Sequence, residues 1–427
     1  MRTLYILITC LFIKGSFLMA QDKELRTIVL DPELQTVQLY PYNQSQNYST
    51  LSPAVFTLGS TSSGVLEFDD LLASYRQFHV KIVHCNVDWT PSVLRELEYL
   101  NEYNDFIINN YEVSQGTKIQ YFHYGFRLPE IKMSGNYVLQ LYENSLSDAM
   151  LAQIRFKVLD PQVAVMATVQ RPQDPGVWRT HQQVNFEINY GNYQIRDPRT
   201  EFIIQIRQNF RDETTKTGFT ASSLNAARQT LSYKFFNNEN LFPAGNEFRY
   251  VDIRSTYTSG NNIEETLQGY EDRVLLKIQQ SRANRTYLDA ADLNGRFIVE
   301  TLEDQHPSIS GDYIHLDVSF SSLILAPNQS LCILGGFNQF NCQNSAKMKF
   351  SNEFGGYTTE LLLKQGIYDF QFAVMEPGKP LDFSFFEGNF TDTGNSYEIM
   401  VYHKPPAARS ERLVGYALIE DSRRSNN

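Results

Sequence analysis

Tryptophan is scarce in this chain, with two residues in 427, and so is cysteine, with four. Two tryptophans, Trp89 and Trp178, leave little from which to build a sugar-stacking platform. Past the first twenty residues no apolar run is long enough for a membrane-spanning helix. Positive charge is also short: 37 Lys and Arg face 48 Asp and Glu, for a net charge of −11. A nucleic-acid binder has to neutralise phosphates, so that class is disfavoured. The chain contains no P-loop, G-x-G-x-x-G, H-E-x-x-H, C-x-x-C or G-x-S-x-G, and the enzyme classes marked by those motifs lose their support. A two-carboxylate hydrolase is not excluded on this ground, because it needs only a defined carboxylate separation that sequence does not display.

What is present is alternation. Aromatics make up 13% of residues, led by 25 Tyr and 29 Phe, types that suit pleated, half-buried surfaces. In "AQIRFKVLD" (152–160), Ile154, Phe156 and Val158 share one face, with Gln153, Arg155 and Lys157 on the other, as in a half-buried antiparallel strand. "TTELLLKQGIYDFQFAV" (358–374) reads as two strands around Gln365-Gly366, a β-hairpin, with Tyr368, Phe370, Phe372 and Val374 on one side. The best helical signal is "TPSVLRELEYL" (90–100), with Thr90 as N-cap and Pro91 in the first turn. Short strands, Gly and Asn turns and little helix predict an all-β protein of three consecutive β-sandwich, immunoglobulin-like domains. The expected division is a signal peptide at 1–20, an N-terminal domain at 21–160, a middle domain at 161–305 and a C-terminal domain at 306–427, with the first break at Asp160-Pro161.

The signal peptide rests on Arg2, the apolar "LYILITCLFI" (4–13) and Ala20 before the cut, and places the mature start near Gln21. A lipoprotein reading through Cys10 puts that cysteine too early. Removing Cys10 leaves Cys85, Cys332 and Cys342, an odd number that cannot all pair internally in an oxidising compartment. Cys332 and Cys342 could clip one loop; the plainer expectation is three buried free thiols. The sequons at Asn43, Asn47, Asn284, Asn328 and Asn389 are what chance gives an Asn-rich chain.

Reactive side chains crowd only in "IVHCNVDWTPS" (82–92), which holds His84, Cys85 and Asp88. On a strand, His84 and Cys85 point to opposite faces, so they cannot form a nucleophile pair. His84 and Asp88 are two ligands where a zinc site needs three or four. The expectation is scaffold: no catalytic, cofactor-binding or metal residues, no cofactor and no small-molecule substrate. "KIQYFHYGFRLPE" (118–130) alternates aromatics, with Phe122, Tyr124 and Phe126 opposite Tyr121 and His123. Core is the ordinary reading of such a stripe; an exposed stripe would be a contact surface, and Tyr121 and Tyr124 are the candidate partner contacts.

Several stretches together resemble one family, the periplasmic plug protein of the type IX secretion system of Bacteroidota. They are "LEFDDL" (66–71), "HCNVDWTPS" (84–92), "YEVSQGT" (111–117), "YFHYGFRLP" (121–129), "FPAGNEFRYVDIRS" (242–255), "DLNGRFIVE" (292–300), "GGFNQFN" (335–341), "LLLKQGIYDFQF" (362–372) and "ERLVGY" (411–416). The resemblance implies a non-enzymatic periplasmic protein at the outer membrane, which closes the periplasmic end of the translocon barrel and has that barrel as its partner. The C-terminal domain also resembles glycogen- and starch-binding immunoglobulin-like domains, with Phe340 where those carry Trp. An exported carbohydrate-binding or glycan-processing protein is the alternative function, weakened by that departure. An outer-membrane barrel is disfavoured by long polar excursions and the polar end "DSRRSNN".

Overall fold

A computed structural model describes residues 24–42, 49–72, 74–144, 149–235 and 238–420. The signal-peptide segment, Asn43, Asn47 and the terminal "DSRRSNN" lie outside the described residues. The chain is all-β, and its helices, among the described residues, are single turns of three or four residues. Among the described residues no helix is long and apolar enough to cross a membrane.

The first sandwich pairs two sheets. One runs Ile28–Val29, Met150–Leu159, Gly135–Tyr142, His79–Cys85, Phe106–Ile107, with Val55–Thr57 parallel to Met150–Leu159. The other runs Leu34–Pro41, Gly64–Asp70, Phe122–Arg127, Asn110–Val113. Between them lie Phe56, Phe68, Phe78, Tyr124, Tyr137 and Phe156. Ile154, Phe156 and Val158 face this core, as alternation predicts. The opposite face is not solvated, however: Gln153, Arg155 and Lys157 are all buried, because the middle domain covers that side.

The middle and third sandwiches are not consecutive, and here the expected boundary at 305/306 fails. The middle sandwich takes one sheet from Ala164–Gln170, His181–Asn189, Thr230–Tyr233 and Ser223–Asn225, with Leu241–Pro243 added on His181–Asn189. Its second sheet runs Lys216–Thr217, Phe202–Gln208, Tyr397–His403, Arg412–Ile419. The last two strands of the chain therefore complete the middle domain. The third sandwich is inserted between, starting at Arg249–Asp252, which pairs with Gly366–Met375. Asp272–Leu276 and Phe297–Val299, both from the segment assigned to the middle domain, pair with Tyr313–Ser321 and Gly366–Met375 of the third. Alternation shows that a segment is a strand and which face is apolar; it carries no record of which sheet the strand joins.

Two local expectations are also corrected. Gly356–Lys364 and Gly366–Met375 do not form a hairpin, because they lie in different sheets of the third sandwich. Gln365 turns the corner between them, and the Tyr368 hydroxyl donates back to the Lys364 carbonyl at 2.6 Å, the geometry of a tyrosine corner. Gly366 is required there, since an added Cβ would sit 2.1 Å from the Ile298 carbonyl oxygen. Tyr368, Phe370, Phe372 and Val374 do share the core face. The predicted helix over 90–100 shrinks to Glu96–Tyr99. Pro91 instead bridges back to Cys85, and Val93 and Leu97 are exposed, so a sustained apolar helix face never forms.

Cys332 and Cys342 are joined in a disulfide, with Cα atoms 5.8 Å apart, and Cys85 is free and buried. The expectation of three free thiols is corrected: the loop after Ser330–Leu334 folds back to bring position 342 within bridging range.

Candidate functional site: buried junctions and exposed edges

The residues of "IVHCNVDWTPS" are held apart. His79–Cys85 is a strand whose inner face carries His84, its ring 4.9 Å from Tyr137 and 5.8 Å from Tyr99. Cys85 packs on the outer face with Trp89 and Val138. The chain then turns at Asn86–Thr90, where Trp89 takes a positive φ of 66°. Asp88 accepts from both the amide and the hydroxyl of Thr90. Burial pushes the Cys85 thiol up to about 12, so it carries no reactive thiolate at neutral pH. Among the described residues no group of three or more His, Cys, Asp and Glu is placed to hold a metal ion.

His84 gives a pH prediction. Burial lowers its pKa to about 4, against roughly 6.5 for an exposed imidazole. Between those values the unfolded chain takes up a proton that the native chain does not. Stability from this group is therefore complete above pH 6.5 and is lost as pH falls towards 4, by about 3 kcal/mol at the lower end. Urea midpoints of the protein should fall more steeply from pH 6.5 to 4.5 than those of His84→Gln. Parallel profiles would contradict this assignment.

Tyr121 and Tyr124, the sequence candidates for partner contact, are both fully buried, and that assignment is corrected. Tyr124 stacks on Phe68 at 5.2 Å inside the first sandwich. Tyr121 closes the junction with the third: its hydroxyl donates to the Gly311 carbonyl at 2.8 Å, and its ring meets Tyr313 edge-on at 5.4 Å. At the centre of that junction is Asp69. One carboxylate oxygen accepts from Lys364 Nζ and the Tyr313 hydroxyl, each at 2.7 Å; the other bonds His123 Nδ1 at 2.7 Å. Burial pushes the Asp69 carboxyl up, but Lys364 and His123 outweigh it and hold it below the usual carboxylate range.

The first and middle domains meet over a second charge network. Arg207 donates to Glu398 Oε2 at 2.6 Å and to Asp212 Oδ1 at 2.5 Å, while Arg155 reaches Asp212 Oδ2 at 2.7 Å. The Tyr416 hydroxyl donates to the other oxygen of Glu398. Lys157 and Arg155 both lie over the Trp89 ring. Nearby, the Tyr402 hydroxyl donates to Asn136 Oδ1 at 2.8 Å. The middle and third domains are tied by Asn246, whose side chain donates to the Glu387 carbonyl, and by Arg211, whose guanidinium lies 3.8 Å over Phe383. Phe340, at the position where sugar-binding relatives of the fold carry Trp, packs between Phe248 and Arg211 in this same junction. It presents no open platform for a sugar ring.

Sequence reasoning missed these junction residues. The only available signal was polar residues in the apolar-flanked strands "LEFDDL" and "IRFKVL", which alternation assigns to solvent. The groups of "IVHCNVDWTPS" do not converge: His84 faces the core, Cys85 the opposite face, and Asp88 the turn. Buried contacts join the three sandwiches: ion pairs between first and third and between first and middle, and an amide hydrogen bond and a cation–ring contact between middle and third.

Residues 34–160 match the family described as "Type 9 secretion system plug protein 1st domain". The crystal structure of a hypothetical protein from Parabacteroides merdae ATCC 43184 is similar over 93% of this chain and 100% of that chain, with 29% identity and a TM-score of 0.86. Trypsin-activated alpha-2-macroglobulin from Escherichia coli aligns with a TM-score of 0.17 and 8% identity over 93% of this chain and 25% of that one, a likeness that carries no argument. No curated protein matches the chain.

Proposed function

We propose, for a chain whose first domain belongs to the type 9 secretion system plug family, that it docks on the periplasmic end of the outer-membrane translocon barrel and closes it without catalysis. The family match ties the chain to type IX secretion. The observation that carries the finer reading is the set of buried junctions. An object that obstructs a wide opening has to keep its outline under load, and three sandwiches cross-linked by Asp69–Lys364, Arg155–Asp212 and Asn246–Glu387 contacts form one stiff unit. Catalysis finds no support in the groups that sequence marked as reactive, since His84, Cys85 and Asp88 diverge. Occlusion has to be reversible, so the docking face has to be broad enough for a stable contact yet polar enough for the free protein to stay dissolved.

Affinity capture of the tagged chain from detergent-solubilised outer membranes of a Bacteroidota host tests the docking. The expected result is recovery of the translocon barrel as the principal membrane partner. Capture that yields no outer-membrane barrel, from cells that express it, would reject the reading.

A further inference from the structure

The four-stranded sheet of the first domain ends in a strand whose edge is open over Asn110–Val113; two residues on, the Gln115 N–H donates to the Ile309 carbonyl of the third domain, so an added strand has to end or turn away there. Every residue of Asn110–Val113 is exposed, and the strand is outermost in its sheet. The phase of the ladder tells which backbone groups are unpaired. Ser114 N donates to the Tyr121 carbonyl, and in the same register Glu112 faces His123 and Asn110 faces Gly125. Antiparallel ladders alternate bonded and unbonded pairs. Asn110 and Glu112 therefore direct their N–H and C=O inward, and Tyr111 and Val113 direct theirs outward.

The side chains sort by face. Tyr111 lies on the core side, 5.8 Å from Tyr124 and 4.9 Å from the exposed ring of Tyr75. Glu112 lies on the outer face beside His123. That face holds an open groove of about 620 Å³, walled by Tyr42, Glu67, Glu112, His123 and Arg127. Gly125 lies in its floor, between Glu67 on one neighbouring strand and Asn110 on the other, and the Asn110 side-chain amide lies over it, where an added Cβ would meet Nδ2 at 2.8 Å. Two of the wall's nitrogen groups are already engaged: His123 is bound to Asp69, and the Arg127 guanidinium lies over Tyr42. Glu112 forms no ion pair among the described residues.

We infer that this edge accepts one extended segment of a partner protein as a fifth strand, with a Lys or Arg opposite Glu112 and apolar residues on either side of it. The unpaired N–H and C=O groups call for a polypeptide, since neither a lipid surface nor an ion satisfies them in register. The cross-strand neighbour of Glu112 projects beside that carboxylate and is favoured when basic; the residues flanking it project onto Tyr111 and Tyr75 and are favoured when apolar. A second copy of this chain is a poor occupant, because it brings its own Glu112 to the shared edge.

The test uses the full chain and two fluorescent nine-residue peptides, Thr-Val-Thr-Val-Lys-Val-Thr-Val-Thr and its counterpart with Glu at the centre, read by anisotropy. The lysine peptide should bind about tenfold tighter than the glutamate peptide, and Glu112→Lys should reverse that order. Val113→Pro removes an outward N–H without touching the inward ladder, and should abolish binding of both peptides. Equal affinities, no binding of either peptide, or self-association of the chain through this edge would overturn the proposal. Melting curves accompany both variants; if Val113→Pro lowers the melting temperature, the surface change Glu112→Lys carries the decision. No translocon is present, so failure here is separate from failure of the plugging role.

Discussion

Replacing Lys364 by methionine is expected to destabilise the chain by about 3–5 kcal/mol, the cost of leaving a buried charge without its counter-ion. Lys364 and Asp69 are both 1% exposed at the side chain, and their 2.7 Å contact spans 295 residues of sequence. The substitution also removes the donor to the Ser308 carbonyl and the cation lying 4.1 Å over the Tyr121 ring. Asp69 would keep only His123 and Tyr313, and the seam between first and third domains would open before either sandwich unfolds. A lower urea midpoint together with early proteolysis near 304–312 would register this. Adding Asp69→Asn to Lys364→Met should restore part of the loss, because the remaining partner is then neutral, and the shortfall from additivity measures the pair. The acid profile supplies a second readout. The Asp69 carboxyl lies below its ordinary value in the native chain, so the unfolded chain binds that proton first. Its stabilisation is present above about pH 4 and is lost as pH falls below; Lys364→Met should blunt that loss. An unchanged midpoint in Lys364→Met would mean that the junction carries no load.

The second large effect is expected at Arg207. Its guanidinium serves Glu398, 1% exposed at the side chain, and Asp212. Burial works against the charge on Arg207, but Glu398 and Asp212 outweigh it and hold the group firmly protonated. Arg207, Arg155 and Lys157 together hold the Asp212 carboxyl down to about 2 against the upward push of burial. Arg207→Met leaves Glu398 buried with the Tyr416 hydroxyl as its remaining close partner, and should cost about 3–5 kcal/mol. The comparison is Arg273, which pairs with Asp317 and Glu360 at the surface with all three side chains a third or more exposed, or nearly so. Arg273→Met should cost less than about 1 kcal/mol. Equal losses in the two variants, measured by urea denaturation, would show that burial of the Arg207 network is not what gives it weight.

The sequence displays the strands well because strands are local. Tyr368, Phe370, Phe372 and Val374 line the core as their spacing predicts, and the separation of His84 from Cys85 follows from a two-residue period. Polar faces were misjudged for a definite reason. Arg155, Lys157, Asp369 and Gln371 sit where alternation points to solvent, yet all are buried. Their burial is tolerable only because partners distant in sequence reach them: Asp212 for Arg155, the Leu293 and Gly295 amides for Asp369, and the Asn246 carbonyl for Gln371. The same non-locality hid the domain plan. Tyr397–His403 reads as another strand of the last domain until its pairing with Phe202–Gln208 is seen, and the crossings that permit it, at 243–248 and 388–396, look like ordinary turn-rich loops. Tyr121, expected to meet a partner, is instead buried against the chain's own third domain, a placement that no local pattern displays.

In the proposed role, a stiff three-domain body closes a barrel by occupying it. Ion conductance through the purified translocon barrel in a planar bilayer, with the chain added on the periplasmic side, tests it most directly. Current should fall to the closed level at about one chain per barrel, and Lys364→Met, with its junction loosened, should close the barrel less completely. Conductance that stays unchanged by a saturating excess of the folded chain would contradict it.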